Sequence, residues 1–237
     1  NAAVNPYYGP LLDIKDEASA RAIEQALKGG SFSVENLESK PARRHPYAPF
    51  RTSTLQQEAN RKLGFSSDRT MSVAQRLFQG VDLGGGEIEG LISYHRTDST
   101  TLSEKALAEA GHAVQDMYGK EYYRGPRQYQ TKVRNAQEAH EAIRPTDFRR
   151  TPQMLERVLE SDELKLYELI WKRAVASQMA DAQLMRTAVE ITGTTPDNRR
   201  AIFAASGKAI EFAGFLRAYV EGSDDPSAEL GEQETLL

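Results

Sequence analysis

The sequence predicts an α+β fold in which a strand-rich domain is interrupted by a mostly helical one. Apolar residues alternate with polar ones near both ends of the chain, and they recur at helical spacing through the middle. The economical arrangement pairs the two terminal segments, residues 1–53 and 182–237, in one discontinuous sheet-rich domain. Residues 54–181 are then expected to form an inserted helical domain.

The first elements are marked by a capping residue, by glycines and by prolines. Asp16 is expected to cap the helix Glu17–Lys28, which two glycines then end. Ser31–Arg44 is predicted to be a strand, because apolar side chains alternate with polar ones at its start. The proline-rich residues 41–49 favour extended backbone, which suits a crossing between domains.

The middle of the chain carries helix start and stop signals. Ser53 is predicted to cap a helix in a capping box with Gln56, and Gly64 to end it. Further helices are expected from Asp68 or Thr70 to Gly80, from Ser103 to Tyr118, from Pro152, and from Ser161. Trp171 lies in an apolar stripe of the last helix, which is typical of a core. Two helices followed by a strand also resemble a winged-helix arrangement.

After residue 181 the pattern returns to strands. Met185–Ile191, Ala201–Ala205 and Gly214–Val220 are predicted to be strands. The three consecutive glycines at 84–86 precede a strand instead of following one and opening a helix. They therefore indicate a flexible turn and not a phosphate-binding loop.

Composition excludes several classes of site. The chain has no cysteine, which excludes a disulfide scaffold, a thiolate metal site and a cysteine nucleophile. Its four histidines show no zinc-binding spacing. No apolar run approaches the roughly 20 residues of a membrane span, and no signal peptide is recognisable. A cytoplasmic protein without a membrane partner is expected, and the absence of an initial Met suggests part of a longer protein.

Net charge neither favours nor opposes nucleic acid as a partner. The formal charge is −4, with 30 basic and 34 acidic residues. Six of the acidic residues lie in the tail from Glu221 onward, which has no Lys or Arg, so the rest of the chain carries 30 basic and 28 acidic residues. A local group of basic side chains would still suffice to contact phosphates.

The most informative segment is Leu91–Thr100, with the sequence LISYHRTDST. As a strand it would place Tyr94, Arg96 and Asp98 on one face and His95 on the other. Neighbours two apart on a strand are about 7 Å from each other, so one phosphate could contact both the phenol and the guanidinium. This suits a tyrosine nucleophile that attacks a phosphodiester. Taken alone, the segment more often indicates a half-buried strand tyrosine beside a surface arginine.

Three motifs make the chain resemble the type IA DNA topoisomerases, the bacterial members above all. They are Pro49–Ala59 with Arg61–Phe65, Gly90–Thr100 and Gln137–Thr146. The resemblance implies ATP-independent cleavage of one DNA strand, with the 5′-phosphate held on Tyr94, and relaxation of negatively supercoiled DNA. It also implies that the discontinuous domain is an arch and that the inserted helical domain carries the tyrosine. His95 stands where the family often has Met.

The same resemblance indicates which residues would surround the scissile phosphate. A phenol has a pKa near ~10, so its attack needs a base or a cation. Arg96 is the cation, and it cannot accept a proton. His140 corresponds to the family's histidine that contacts the scissile phosphate. On a predicted helix, Ala136–Arg144, the side chains of Gln137, His140 and Arg144 share a polar face, so Gln137 and Arg144 are further candidates for DNA contacts.

The resemblance implies Mg²⁺ in the full-length enzyme, held by an acidic cluster of a TOPRIM domain. This chain has no Asp-x-Asp-x-Glu motif, so we expect the ligands outside it and no metal bound by the chain itself. The implied partners are a single-stranded segment of underwound DNA, the TOPRIM domain and the remaining core domains, in a nucleoid-associated enzyme. The alternative is a non-catalytic nucleic-acid-binding module that retains the fold. A tyrosine recombinase or relaxase would need an Arg-His-Arg set or a paired-histidine metal site, and neither spacing is present.

Overall fold

The computed structural model describes residues 14–84, 86, 88–129 and 141–220, preceded by the two short strands β1 and β2. The described residues divide into two compact units. Those within Asn1–Ala42 and Met185–Ala209 form the first, here called the sheet unit. Those within Arg43–Leu184 and Ile210–Gly231 form the second, here called the helical unit. The mixture of helices and sheet confirms the α+β prediction.

The sheet unit contains a helix and most of a three-stranded sheet. Its helix α1 begins at Glu17 and is capped by Asp16, as predicted, because the Asp16 carboxylate accepts a hydrogen bond of 2.7 Å from the Ser19 amide. In the sheet, β3 lies beside β6 and β6 lies beside β7. A strand from before the helical middle of the chain therefore pairs with one from after it. The elements are β1 (Val4–Asn5), β2 (Gly9–Pro10), α1 (Glu17–Leu27), β3 (Ser31–Arg44), β6 (Ala182–Thr194) and β7 (Arg200–Phe212).

The strand bounds agree with the sequence at β3 and differ after it. β3 has its predicted bounds. β6 and β7 are longer than predicted because both continue past the apolar runs from which they were recognised. The side chains of β7 are largely exposed, whereas those of β6 are mostly half-buried or buried. The predicted strand Gly214–Val220 is wrong, since Gly214–Arg217 form a turn of 3₁₀-helix. Gly214 has a φ of +51°, and a Cβ there would lie 2.4 Å from the Asp181 carbonyl oxygen, so the chain turns away from the sheet at a glycine.

The helical unit holds the remaining helices and a small strand pair. The antiparallel pair β4–β5 closes around the predicted glycine turn, where the Asp82 carboxylate accepts hydrogen bonds from the amides of Gly84 and Gly86. None of the helices in the described part of the chain has the length and apolar character of a membrane span. The elements are α2 (Thr52–Leu63), α3 (Ser67–Gln79), β4 (Val81–Asp82), β5 (Ile88–Glu89), α4 (Glu104–Tyr118), α5 (Pro152–Leu155) and α6 (Ser161–Ser177).

Helix starts in this unit follow local capping in some places and tertiary contacts in others. Ser103 caps α4 as predicted, by accepting a hydrogen bond from the Ala106 amide. The predicted cap of α2, Ser53, is wrong, because the cap is Arg51, two residues earlier, and the helix begins at Thr52, whose amide donates to a distant carbonyl. Two other starts shift slightly: α3 is capped by Ser66, and α6 begins at Ser161 with Glu160 as its cap.

Helix α6 runs through the core of the helical unit. Tyr167 and Ile170 on this helix are fully buried. Two of its aromatic side chains also place a polar atom on a carbonyl oxygen, with Trp171 Nε1 donating to Phe148 at 3.0 Å and Tyr167 Oη donating to Arg150 at 2.7 Å. The expectation that Trp171 is a core residue is confirmed.

Candidate active site

The segment around Tyr94 is not a strand, so that prediction is wrong. Ile92 forms an isolated bridge with Pro145, and bends follow it. The alternation of side chains is nevertheless present. The exposed residues are Tyr94, Arg96 and Asp98, and the buried ones between them are His95, Thr97 and Ser99. The phenol and the guanidinium therefore lie on the solvent side of an irregular segment, because backbone groups here bond to other parts of the fold instead of to a neighbouring strand.

One threonine fixes the backbone on both sides of Arg96. The Thr52 hydroxyl donates a hydrogen bond of 2.8 Å to the His95 carbonyl and accepts one of 2.9 Å from the Thr97 amide. The Thr52 amide donates to the Thr97 carbonyl at 2.9 Å. The loop that carries Arg96 is thereby attached to the first turn of α2. Sequence reasoning missed Thr52, since nothing local marks a hydroxyl whose partners are more than 40 residues away.

A second extended segment lies beside Tyr94. The Ser93 amide donates to the Arg144 carbonyl at 2.9 Å, and the Ser93 hydroxyl donates to the Ala142 carbonyl at 2.7 Å. The Ile143 amide donates to the Phe50 carbonyl at 2.8 Å. In the described part of the predicted helix Ala136–Arg144, the backbone groups of residues 142–144 form hydrogen bonds with other segments and not with each other. This part is therefore not helical, and the prediction is wrong there.

Three rings surround the candidate nucleophile. The Tyr94 ring is 40% exposed, and it lies edge-on to Phe78 with the centroids 5.4 Å apart. The His95 ring is 5.7 Å from both Tyr94 and Phe78, and it is fully buried. Burial, and then the charge of Arg96, lower the pKa of His95 below its ordinary value, which favours the neutral imidazole. Sequence reasoning assigned His95 to the opposite side from Tyr94 and did not foresee the ring contact.

The two candidate arginines differ in their surroundings. Arg96 is exposed, and within the described residues it forms no ion pair. Arg144 instead forms an ion pair of 2.5 Å with Glu141 and donates a hydrogen bond to the Pro145 carbonyl. Burial would raise the pKa of Glu141, but hydrogen bonds from Ser103 and the charge of Arg144 lower it below its ordinary value. Arg144 is thus held along the protein surface and is not directed freely outward.

Gln137 and His140 lie outside the described residues, so their predicted DNA contacts stay predictions. Tyr94 and Arg96 are the predicted site residues that the structure leaves exposed within one short segment. Among the residues that the structure describes, no group of three or more His, Asp or Glu side chains could hold a metal ion. The described residues thus do not fit a magnesium site, and we derive no step through a metal.

Comparisons with known proteins agree with the motifs. A family model described as DNA topoisomerase matches residues 11–236. The DNA topoisomerase 1 of Streptomyces coelicolor is 55% identical over 224 residues, which cover 94% of this chain and 22% of that protein. The DNA topoisomerase 1 of Synechocystis is 50% identical over 241 residues, which cover 98% of this chain and 25% of that protein.

A solved structure gives the same result. Full-length topoisomerase I from Thermotoga maritima aligns with 100% of this chain and 35% of its own, with a TM-score of 0.72 and 32% identity. The chain spans between a fifth and a quarter of the length of the curated relatives it matches. The family model covers nearly all of the chain. The resemblance drawn from the three motifs is thereby confirmed, and the chain belongs to the type IA DNA topoisomerase family.

Proposed function

We propose that this chain carries the nucleophile of an enzyme that relaxes negatively supercoiled DNA by cutting and resealing one strand. In the cleavage step, Tyr94 Oη forms a bond to phosphorus while the bond from phosphorus to the 3′-oxygen breaks. The phenol proton is released, the 3′-oxygen leaves as a hydroxyl, and the 5′-phosphate stays on the tyrosine. Resealing reverses these changes. The observation that carries the proposal is the exposure of both Tyr94 and Arg96 on a segment whose backbone is bonded to Thr52 on either side of Arg96.

Arg96 would stabilise the charge of the attacked phosphate. Its guanidinium stays protonated at any physiological pH, so it acts as a cation and not as the base. Because it forms no ion pair within the described residues, its paired N–H groups are open to two phosphate oxygens. Fixed donors of this kind act most strongly where negative charge redistributes in the transition state.

Further contacts to DNA are proposed for Gln137, His140 and Arg144, with His140 on the same phosphate as Arg96. His140 directly precedes Glu141, whose carboxylate accepts a hydrogen bond of 2.9 Å from the Ser103 amide at the start of α4. Support for including His140 comes from this anchored neighbour and from the family's motif. Arg144 would reach a phosphate only in competition with Glu141.

Full activity would depend on parts of the protein that this chain does not cover. The matched relatives are about four times longer, and we propose that a TOPRIM domain in such a protein supplies the Mg²⁺ ligands. Residues 1–53 and 182–237 would form part of the arch, and residues 54–181 the inserted domain with winged-helix character. DNA and the remaining domains are the proposed partners.

The decisive experiment is the change Tyr94→Phe in a full-length protein that contains this chain. The substitution removes one oxygen and keeps the ring contacts with Phe78 and His95, so DNA binding should be retained while covalent attachment is lost. The measurement is the labelled oligonucleotide that stays on the denatured protein. Tyr118→Phe, at a half-buried tyrosine of the same unit, is the matched control and should leave attachment unchanged.

The same assay examines Arg96 and the alternative function. Arg96→Ala should lower the cleavage rate by a factor on the order of 100 to 1,000, and Arg96→Lys should recover only part of it. Arg157→Ala, at another exposed arginine of the helical unit, is the control. Attachment by the Tyr94→Phe protein would reveal another nucleophile. A wild-type full-length protein that binds DNA without any attachment would instead support the non-catalytic binding module.

A further inference from the structure

His95 is a buried polar side chain for which the proposed reaction has no use. Its ring is 0% exposed, and within the described residues neither Nδ1 nor Nε2 has a hydrogen-bond partner. Unpaired polar atoms in a protein interior lower stability, so they are rare and call for an explanation. An apolar side chain of similar volume would fill the same space without this cost. The imidazole must therefore be explained by what it contacts.

The contact that distinguishes His95 is the Tyr94 ring. His95, Tyr94 and Phe78 form a triangle of rings with centroid distances of 5.4 to 5.7 Å. Tyr94 and Phe78 are 40% and 37% exposed, whereas His95 is fully buried. The imidazole is thus the inner corner of the triangle, and the partly exposed tyrosine ring packs against it.

The backbone gives this inner corner a fixed position. The His95 carbonyl accepts the 2.8 Å hydrogen bond from Thr52, and the Thr97 amide donates to the same hydroxyl. Residues on both sides of Arg96 are therefore attached to α2. A side chain that moved the His95 ring would move the tyrosine ring relative to the guanidinium.

We propose that His95 is a positioning residue for Tyr94: its uncharged ring, fixed beneath the phenol, holds the tyrosine in line with the phosphate that Arg96 binds. This inference rests on the proposed function, since it assumes that Tyr94 is the nucleophile. Alignment of reacting atoms contributes strongly to rate, and a displacement of about 1 Å can cost on the order of 100-fold. The unpaired nitrogens are then a stability cost that accompanies a function.

The positioning role requires the neutral ring. Burial and the Arg96 charge lower the pKa of His95, and no carboxylate pairs with it among the described residues. The neutral form should prevail above the ordinary pKa of about 6.5, and protonation should release the ring as pH falls through the lower folded-state value. The charged groups of the surrounding segments include Arg96 and the exposed Asp98 on its own loop, Arg51 at the start of α2, Arg76 near the end of α3 with its partner Glu163, and the pair Glu141–Arg144.

The test uses full-length proteins that carry His95→Ala or His95→Met, with single-turnover cleavage of a labelled single-stranded oligonucleotide. At mildly alkaline pH, His95→Ala should cut about 10 to 100 times more slowly than wild type, because the tyrosine ring loses its support. DNA affinity, measured separately, should change by less than about twofold, since His95 is too buried to contact DNA. Met fills the space but is flexible and presents no flat ring to Tyr94, so His95→Met should recover only part of the rate.

The pH profile separates positioning from simple packing. Wild-type cleavage should fall on the acid side as His95 is protonated, whereas His95→Met should lack that fall. His112→Met, at an exposed histidine of α4, is the matched control and should keep the wild-type profile. The proposal is overturned if folded His95→Ala cleaves at the wild-type rate. It is also overturned if the cleavage rates of His95→Met and wild type fall in the same way as the pH is lowered. Failure of the nucleophile assignment would appear separately, as attachment in the Tyr94→Phe protein.

Discussion

The helical unit and the sheet unit differ most in the apolar surface that they bury. The largest fully buried side chains, such as Tyr167, Phe50 and Phe148, lie in the helical unit. Among the described residues of the sheet unit, Leu27 is the single apolar side chain that is buried. On β3 the side chains of Phe32 and Val34 are about 60% exposed. Burial of apolar surface is the main stabilising contribution, so the candidate nucleophile lies on the more stable unit.

The apolar packing of the sheet unit is concentrated in one small cluster of side chains. The rings of Phe32 and Phe203 have centroids 6.2 Å apart. They meet Leu27 above Gly193, where a Cβ atom would lie 2.9 Å from the Phe32 ring and 3.1 Å from Leu27. Glycine at this position lets the side chains approach the strand. The rest of this unit depends on its strand ladder and on α1.

This contrast predicts different opening behaviour. A segment with few buried apolar contacts and exposed backbone hydrogen bonds opens at a lower free energy than a packed core. We therefore expect amides of β3 and β7 to exchange with solvent well before those of α6. A nucleophile that must be held within a fraction of an ångström is better supported by the unit that opens last.

The largest expected effect is the loss of core packing in the helical unit. Ile170→Ala removes a fully buried side chain of α6, and the free energy of unfolding should fall by about 2–5 kcal/mol. Urea denaturation of the chain measures the change. The matched variant Ile202→Ala, at a 44% exposed isoleucine of β7, should cost clearly less than about 1 kcal/mol. Equal losses would show that the two units share one core.

The sequence predicted those elements whose signals are local. Asp16 and Ser103 mark helix starts through side chains that accept nearby amides, and Gly64 marks a helix end through its left-handed backbone, so α1, α4 and the end of α2 follow from short patterns. Alternation predicted β3 and also the exposed side of Tyr94. Periodicity alone could not show that the Tyr94 segment lacks a strand ladder.

The site departs from prediction where hydrogen bonds join distant segments. Thr52 is 43 residues from His95, and Ser93 is 49 residues from Ala142. Such partners leave no mark at a spacing of two or 3.6 residues. Glu141 lies within the predicted helix Ala136–Arg144, yet its carboxylate accepts a hydrogen bond from the distant Ser103 amide and pairs with Arg144. Hydrogen bonds between distant segments determine the backbone of the site, and local sequence propensity does not predict such bonds.

A smaller effect is expected from helix caps, and it distinguishes global from local stability. Ser103→Ala removes the side-chain acceptor at the start of α4, so the free energy of unfolding of the helical unit should fall by about 1 kcal/mol. The equivalent change in the sheet unit, Asp16→Ala, should speed amide exchange in α1 and leave the helical unit unchanged. Hydrogen exchange resolved by segment measures both. Faster amide exchange in α6 of the Asp16→Ala protein would contradict separate units.

The pH dependence of that cap provides its control. Hydrogen bonds from Ser19 lower the pKa of Asp16, so the folded state favours the carboxylate. Its contribution is present above the ordinary carboxyl range and is lost as pH falls through the lower folded-state pKa. The difference in α1 exchange between wild type and Asp16→Ala should therefore shrink in acid. The Ser103→Ala difference should persist, because a serine hydroxyl does not titrate there.

The smallest effect is expected on the exposed face of β3. Val34→Thr exchanges one methyl group for a hydroxyl at a side chain that is 62% exposed, and threonine suits a strand as well as valine does. The free energy of unfolding should change by no more than about 0.5 kcal/mol. Denaturation at two protein concentrations measures it. A loss well above about 1 kcal/mol that grows with concentration would show that this face is covered in solution by a second copy, because burying a hydroxyl against apolar surface is unfavourable. A loss of similar size that does not depend on concentration would mean that the Val34 side chain packs within the sheet unit itself. The difference in stability between the two units would then be smaller than their buried apolar side chains indicate.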